Sequence, residues 1–300
     1  MKIAIIGLGK MGSQIARKLH EGGHTVIASN RSSGLVDEMK GLGMIGAYTK
    51  EEVISNFKNE QIIVWLMVPS DAVDSELDIW LSLLPKGSII IDGGNSKFSD
   101  TKRRAQKVQE QGSTLLDVGT SGGVWGYQNG FSMMVGGDKN SFEIIKPILE
   151  TLKNPDAMYV YFGESGSGHY VKMVHNAIEY GMMESLAEGY RLLKEGPYKE
   201  IDLYKAGEVW QHHSVITSWL NELTRDIMKD NPNQDGIDGR VAESGEARWA
   251  LEVARDFNIE TSAIQASFDV RLDSQKGKIN FATKVLASMR NAFGGHKINE

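Results

Sequence analysis

The stretch "KIAIIGLGKMGSQIARKLHEGG", residues 2–23, decides how the chain begins to fold. "KIAIIG" is a short, almost wholly apolar run and predicts a buried strand. Residues 12–22 have helical composition and stop at Gly22-Gly23. Between the two lies "GLGKMG", a G-x-G-x-x-G turn built on Gly7, Gly9 and Gly12. The hexapeptide alone is a weak signal. Placed after a strand and before a helix, it has the context that dinucleotide binding requires. Gly7 permits the tight turn, Gly9 lets a pyrophosphate approach the backbone, and Gly12 lets the helix pack closely on the strand. The helix N-terminus then faces the anion. Gly7, Leu8, Gly9, Lys10, Met11 and Gly12 are the expected cofactor-binding loop.

Outward from this loop, strand-like runs continue. "HTVIAS" is followed by "IIVWLMV" (62–68), "SIIIDGG" (88–94), "TLLDVG" (114–119), "FSMMVGG" (131–137) and "MYVYFG" (158–163). Near-continuous β-branched runs alternating with helical patterns predict a doubly wound, largely parallel sheet covered on both faces. The later runs are closer together, so the sheet is expected to end in antiparallel strands. After about residue 165 helical patterns take over. Gly168–Lys194 contains no proline and predicts one long helix, ended by "EGP" at 195–197. A loop-like stretch, "KDNPNQDGIDG" (229–239), divides the helical half. The expected organisation is an α/β, Rossmann-type domain over 1–164 and an all-α domain over 165–300. The long apolar helix is expected to bury surface against a second copy, as a homodimer or homotetramer.

The end of the second strand bears on the choice of cofactor. An acidic residue there would accept hydrogen bonds from the ribose hydroxyls of NAD. The chain instead reads Asn30, Arg31, Ser32, Ser33. A cation and hydroxyls suit the extra phosphate of NADP through charge-assisted hydrogen bonds. NADP is therefore expected, with NAD possible. The first acidic residue, Asp37, falls too late and belongs to the next helix.

Composition narrows the rest. A net charge of −6 implies no broad basic surface for nucleic acid, although a local cationic pocket for a small anion stays open. The absence of cysteine excludes disulfides, thiol catalysis and cysteine-based metal sites. His212 and His213 are adjacent, so on a helix they diverge, and no metal is expected. No signal peptide or membrane span is read, and a cytoplasmic protein is expected.

One further stretch, "KMVHNAIEY" (172–180), carries chemistry-bearing residues at helical spacing. Lys172, His175, Asn176 and Glu179 stand at i, i+3, i+4 and i+7 and share one stripe. Lysine and glutamate on one helical face are ordinarily solvated. The surrounding motifs favour a site instead. "GLGKMG", "NRS" (30–32), "DGGNS" (92–96), "DVGTSGGVWGYQNGFSMMVGG" (117–137), "GSGHYVKMVHNAIEY" (166–180), "ESGEARW" (243–249) and "MRNAFGGH" (289–296) span nearly the whole chain. In these motifs the chain resembles the 6-phosphogluconate dehydrogenase (decarboxylating) family, in its shorter form. The glycine turn, the "SGG" loop and the lysine are shared with the wider β-hydroxyacid dehydrogenases. The "KMVHNAIEY" run is narrower and points to the phosphogluconate branch.

The resemblance implies a role for each residue. Lys172 would be the general base at the C3 hydroxyl, and Glu179 the acid that protonates C1 of the enediol. His175 and Asn176 would bind substrate oxygens near C3, and Tyr180 the phosphate end. Ser121, Gly122 and Gly123 would hold the substrate carboxylate. Asn95 would lie between nicotinamide and substrate, with Val68 lining the cofactor. Arg271 would bind phosphate, and the tail residues Arg290 and His296 would reach a neighbouring subunit's site. The implied activity is oxidative decarboxylation of 6-phosphogluconate to ribulose 5-phosphate. The chain departs from longer relatives in carrying Ser244 where they have a phosphate-binding lysine, and in lacking their duplicated helical domain. Another β-hydroxyacid dehydrogenase or an imine-type reductase would lack the histidine and glutamate of the stripe. A non-catalytic NADP-binding sensor would have no use for Lys172 with Glu179.

Overall fold

The computed structural model describes residues 1–298; Asn299 and Glu300, at the end of the expected helical domain, lie outside the described residues. The chain divides into two compact units, Met1–Lys172 and Met173–Glu300.

In the first unit, strand and helix alternate as β1 (Lys2–Ile6), α1 (Lys10–Glu21), β2 (Thr25–Ser29), α2 (Ser33–Gly41), β3 (Ile45–Ala47), α3 (Lys50–Ser55), β4 (Ile63–Leu66), α4 (Val73–Leu83), β5 (Ile89–Asp92), α5 (Phe98–Glu110) and β6 (Thr114–Ser121). A short 3-10 turn (Gly123–Trp125) and α6 (Gly126–Asn129) lead to β7 (Ser132–Gly137), α7 (Lys139–Leu152) and β8 (Tyr159–Gly163). The strands form one sheet in the order β3-β2-β1-β4-β5-β6-β7-β8. The first six are parallel, as the continuous apolar runs predict. Between β6 and β7 the direction reverses, with Ser121 opposite Ser132. The connection over 122–131 is too short for a parallel crossover. β8 then pairs parallel with β7, because α7 supplies a full crossover.

Strand residues alternate between two cores. Ile3, Ile5, Trp65, Ile89 and Ile91 enter one apolar layer. Ala4, Ile6, Val64, Leu66 and Ile90 enter the other. This is the period-2 consequence of helices on both faces.

The helical half begins with α8 (Ser167–Glu195), 29 residues long, which starts in the first unit and continues through the second. It is followed by α9 (Leu203–Gln211), α10 (Trp219–Asp230), α11 (Glu246–Asp256), α12 (Ser262–Gln275) and α13 (Phe281–Gly294). Of the stretch read as a dividing loop, residues 229–230 close α10 and 231–239 lie between α10 and α11. Met183, Ala187 and Tyr190 of α8 share a core with Val285, Leu286 and Met289 of α13. Among the described residues no helix is long and apolar enough to cross a membrane.

Candidate active site

Three loops open at the C-terminal ends of the adjacent strands β1, β4 and β5, the edge at which open parallel sheets bind ligands. Gly7 has φ +95°, and a Cβ there would lie 2.4 Å from the Met67 carbonyl oxygen. A Cβ on Gly12 would lie 1.9 Å from the Gly7 carbonyl oxygen, so both positions require glycine. Gly9 differs: a Cβ there would meet nothing within 4 Å. It is also the N-cap of α1 and offers no side-chain cap. An open approach to the positive end of a helix fits the pyrophosphate of a dinucleotide.

Asn30 holds this loop from the end of β2, its Oδ1 accepting the Leu8 amide at 3.0 Å. Arg31 and Ser32 follow and are exposed. Ser32 stands at the N-cap of α2 without spending its side chain on a helix amide. Asp37 lies on α2, where it accepts a hydrogen bond from the Tyr48 hydroxyl at 2.5 Å. Val68 packs beside Gly7, and its carbonyl oxygen would lie 2.9 Å from a Cβ on Gly94. Asn95 is exposed at the tip of the β5 turn. The buried Asp92 shapes that turn, accepting from the Gly94 amide at 3.2 Å and the Ser96 hydroxyl at 2.7 Å.

Ser121 ends β6, and Gly122 (φ +142°) and Gly123 (φ +54°) bend the chain into the 3-10 turn. Phe131, fully buried, underlies this bend: a Cβ on Gly126 would come within 1.9 Å of its ring. The segment is therefore a built turn. It is also braced to α1. The Tyr127 amide donates to Gln14 at 3.0 Å, Lys18 donates to the Tyr127 carbonyl at 3.2 Å, and the Tyr127 hydroxyl donates to Glu21 at 2.6 Å. Arg17 sits 4.9 Å from the centre of the Tyr127 ring.

On α8 the stripe is not a solvated face. Lys172 is 7% exposed and Asn176 9%. His175 Nδ1 lies 2.9 Å from Asn176 Oδ1 and 3.9 Å from Glu179 Oε2. The Asn176 amide donates to Glu246 at 2.7 Å, and the other oxygen of that buried carboxylate has no hydrogen-bond partner among the described residues. One turn on, Tyr180 receives the Ser244 amide at 3.0 Å and touches its hydroxyl at 3.2 Å. The Arg271 guanidinium stacks 3.3 Å from the centre of the Tyr180 ring. Burial, reinforced by the like charge of Arg290, lowers the Arg271 pKa to about 10, so it remains charged at neutral pH. Arg290 is itself buried within its own chain. His296 is exposed, its carbonyl accepting from Asn291 at 2.7 Å. Two buried guanidiniums within electrostatic reach favour an anion between them.

Comparison with known proteins shows the family. Residues 2–163 match the NAD binding domain of 6-phosphogluconate dehydrogenase, and residues 168–299 match its C-terminal domain. The chain belongs to the 6-phosphogluconate dehydrogenase family. YqeC of Bacillus subtilis (strain 168), whose name gives that activity provisionally, is 40% identical over 99% of this chain and 98% of its own. The NAD(+)-dependent, decarboxylating 6-phosphogluconate dehydrogenase of Haloferax volcanii is 34% identical over 99% of this chain and 98% of its own. Among solved structures, the 6-phosphogluconate dehydrogenase of Plasmodium falciparum, studied with NADP+ and with 6-phosphogluconate, superposes with a TM-score of 0.83. It is 27% identical, and the match covers 96% of this chain and 70% of that one.

Within this family member, several residues were not singled out from sequence. Gln14, Arg17, Lys18 and Glu21 recur at i, i+3, i+4 and i+7, so a polar face of α1 was readable, but not its partner Tyr127. Glu246 lay inside a recognised motif without a role. Glu184, one turn beyond Tyr180, is 8% exposed, and burial, with the nearby Glu188, pushes its carboxyl up to about 7 against the opposing effect of Arg271. Its folded pKa lies above the unfolded one, so the folded state holds the extra proton and stability falls as pH rises through that window. Glu184→Gln is expected to melt a few degrees higher than the parent at pH 8 and close to it at pH 4.5. Thermal melts at both values check this; equal shifts at both would refute it.

Proposed function

We propose that the chain catalyses the NADP-dependent oxidative decarboxylation of 6-phosphogluconate to ribulose 5-phosphate and CO2. The observation that carries the reading is the burial of Lys172 on the same helical stripe as Asn176 and Glu179, within a member of this family. A nicotinamide dinucleotide held by the Gly7–Gly12 loop would supply the hydride acceptor.

Lys172, in its neutral form, takes the C3 hydroxyl proton as the C3 hydride departs. A lysine base requires that neutral form at the working pH. The product is a 3-keto acid whose carboxylate is β to the new carbonyl. When CO2 leaves, the C–C bonding pair moves toward the C3 carbonyl. The protonated Lys172 donates to that oxygen and stabilises the developing enolate. Glu179 then delivers a proton to C1 of the enediol while the hydroxyl at the former C3 returns its proton to Lys172, leaving the ketone of ribulose 5-phosphate. Lys172 and Glu179 stand about 10 Å apart along the helix axis, and their long side chains can serve different carbons of one sugar acid. His175 and Asn176, between them, fix the hydroxyls. Ser121, Gly122 and Gly123 receive the carboxylate, and Asn95 lies between cofactor and sugar.

At the other end, Tyr180, Arg271 and Arg290 receive the phosphate. Ser244 stands on the Tyr180 hydroxyl and offers a neutral donor where longer relatives carry a lysine. Arg31 and Ser32 receive the 2′-phosphate of NADP. The assembly proposed is a homo-oligomer in which the tail, through His296, completes a neighbouring subunit's site.

Purified protein mixed with 6-phosphogluconate and NADP should produce NADPH and CO2 in equal amounts; no turnover with either nicotinamide cofactor would sink the reading. Lys172→Ala should abolish oxidation, whereas Glu179→Gln should lower kcat with little change in KM. Arg31→Ala should raise KM for NADP by about tenfold or more while leaving that for NAD unchanged, because a charged hydrogen bond is lost only with NADP. An unaltered KM for NADP would exclude the assigned role. Mixing and reassociating Lys172→Ala with His296→Ala subunits should restore part of the activity, since a hybrid carries one intact site. No recovery in verified hybrids would place the tail in its own site.

A further inference from the structure

The seat of Lys172 is set from the sheet, by residues to which no role has been given. Gly166 is the N-cap of α8: its carbonyl accepts the Tyr170 amide at 2.8 Å. A glycine has no side chain with which to cap. In a local capping box the N3 amide and the N-cap amide are satisfied by two side chains of the helix itself. Here both are satisfied by a single carboxylate from strand β6. Asp117 Oδ1 accepts the Gly166 amide at 2.8 Å, and Oδ2 accepts the His169 amide at 2.8 Å. Asp117 is fully buried. His169 is held a second time, through its ring, to the Thr101 hydroxyl of α5 at 2.8 Å.

Two residues further along β6, on the same face of the strand, stands Gly119. A Cβ there would lie 2.4 Å from Lys172 Cβ and 2.9 Å from Lys172 Cγ. The absent side chain of Gly119 is the notch in which the lysine stem rests. Gly136 on β7 and Gly168 on α8 are bare for a related reason: a Cβ on either would come within 2.8 Å of backbone atoms across this junction. One strand therefore fixes α8 twice, by charge at its first turn and by shape under Lys172.

We propose that Asp117 is a positioning residue for Lys172. By holding both cap amides it sets the axial depth and rotation of the first two turns of α8. Gly119 supplies the matching clearance. This rests on the reading of Lys172 as the base, and it adds a determinant of catalysis that touches neither substrate nor cofactor. A misplacement of about 1 Å at a reacting group can cost on the order of 100-fold in rate. Asp117→Asn keeps the volume but turns one acceptor into a donor facing an amide N–H.

The test measures Asp117→Asn and Gly119→Ala in the full chain. Both are expected to lose about 10- to 100-fold in kcat, with KM for NADP within about twofold of the parent. Deuterium at C3 of 6-phosphogluconate should slow the variants more than the parent, because hydride transfer has become limiting. In Asp117→Asn the Gly166 and His169 amides should exchange with deuterated solvent faster than in the parent. A lowered melting temperature with unchanged kcat and isotope effect would overturn the proposal, and so would unchanged exchange of the two amides. If Asp117→Asn does not fold, Gly119→Ala decides by the same kinetic criteria. Should the parent itself fail to turn over 6-phosphogluconate, the functional reading fails, while amide exchange still reports whether Asp117 holds the helix.

Discussion

The seating of the first turn of α8 against the sheet is the constraint on which the rest of the site depends. The base role proposed for Lys172 asks that it be kept from water and held in one place. Both conditions are met by bringing a helix unusually close to two strands. That approach needs positions without Cβ, which explains Gly119, Gly136 and Gly168 together. It also needs the helix's first amides to find partners away from water, since a buried orphan donor costs about 1–3 kcal/mol. Asp117 supplies both acceptors at once. α8 is 29 residues long, and this turn is its beginning.

Much of this could be read from sequence where the signal is local. The parallel strands were legible because burial on both faces makes them continuous apolar runs. The glycine turn and the α8 stripe were legible because their partners lie within one or two helical turns. β3 was not: "IGA" is three residues with a glycine in the middle, and it pairs only because β2 offers an edge. The reversal at β7 showed only in the spacing of runs. In the site, what escaped notice is pairing at long range. Asp117 meets His169 across 52 positions, Tyr180 meets Ser244 across 64, and Asn176 meets Glu246 across 70. Periodicity cannot report such pairs, because each member looks like an ordinary polar residue in its own segment.

The helical unit carries buried charge that folding alone would not favour. Arg271, Arg290, Glu184 and Glu246 are each under a tenth exposed. Desolvating such groups costs more than their mutual attraction returns unless the geometry is very good. Here it is incomplete: Glu246 keeps one oxygen without a hydrogen-bond partner among the described residues, and Arg290 pushes against Arg271. A core built for stability would replace these with apolar residues of similar volume. Their clustering around Tyr180 and the α8 stripe is what a site for a doubly anionic sugar acid requires, and perturbed charges of this kind gather at functional sites.

The two ligand-facing loops of the first unit are mechanically one object. α1 directs its N-terminus toward the dinucleotide loop and its side to Tyr127, in the turn that follows Ser121-Gly122-Gly123. Gln14, Lys18 and Glu21 grip the backbone and the hydroxyl of that tyrosine, and Arg17 covers its ring. Phe131 supports the same turn from below. Such a brace leaves little freedom for Gly122 and Gly123, the proposed carboxylate site, to move independently of α1. Catalysis by hydride transfer gains from that rigidity, because donor carbon and acceptor ring must meet in one geometry and any slack is lost rate. Gly122 thus contributes a bend at φ +142°, a value that other residues rarely adopt, and Gly123 continues it at +54°.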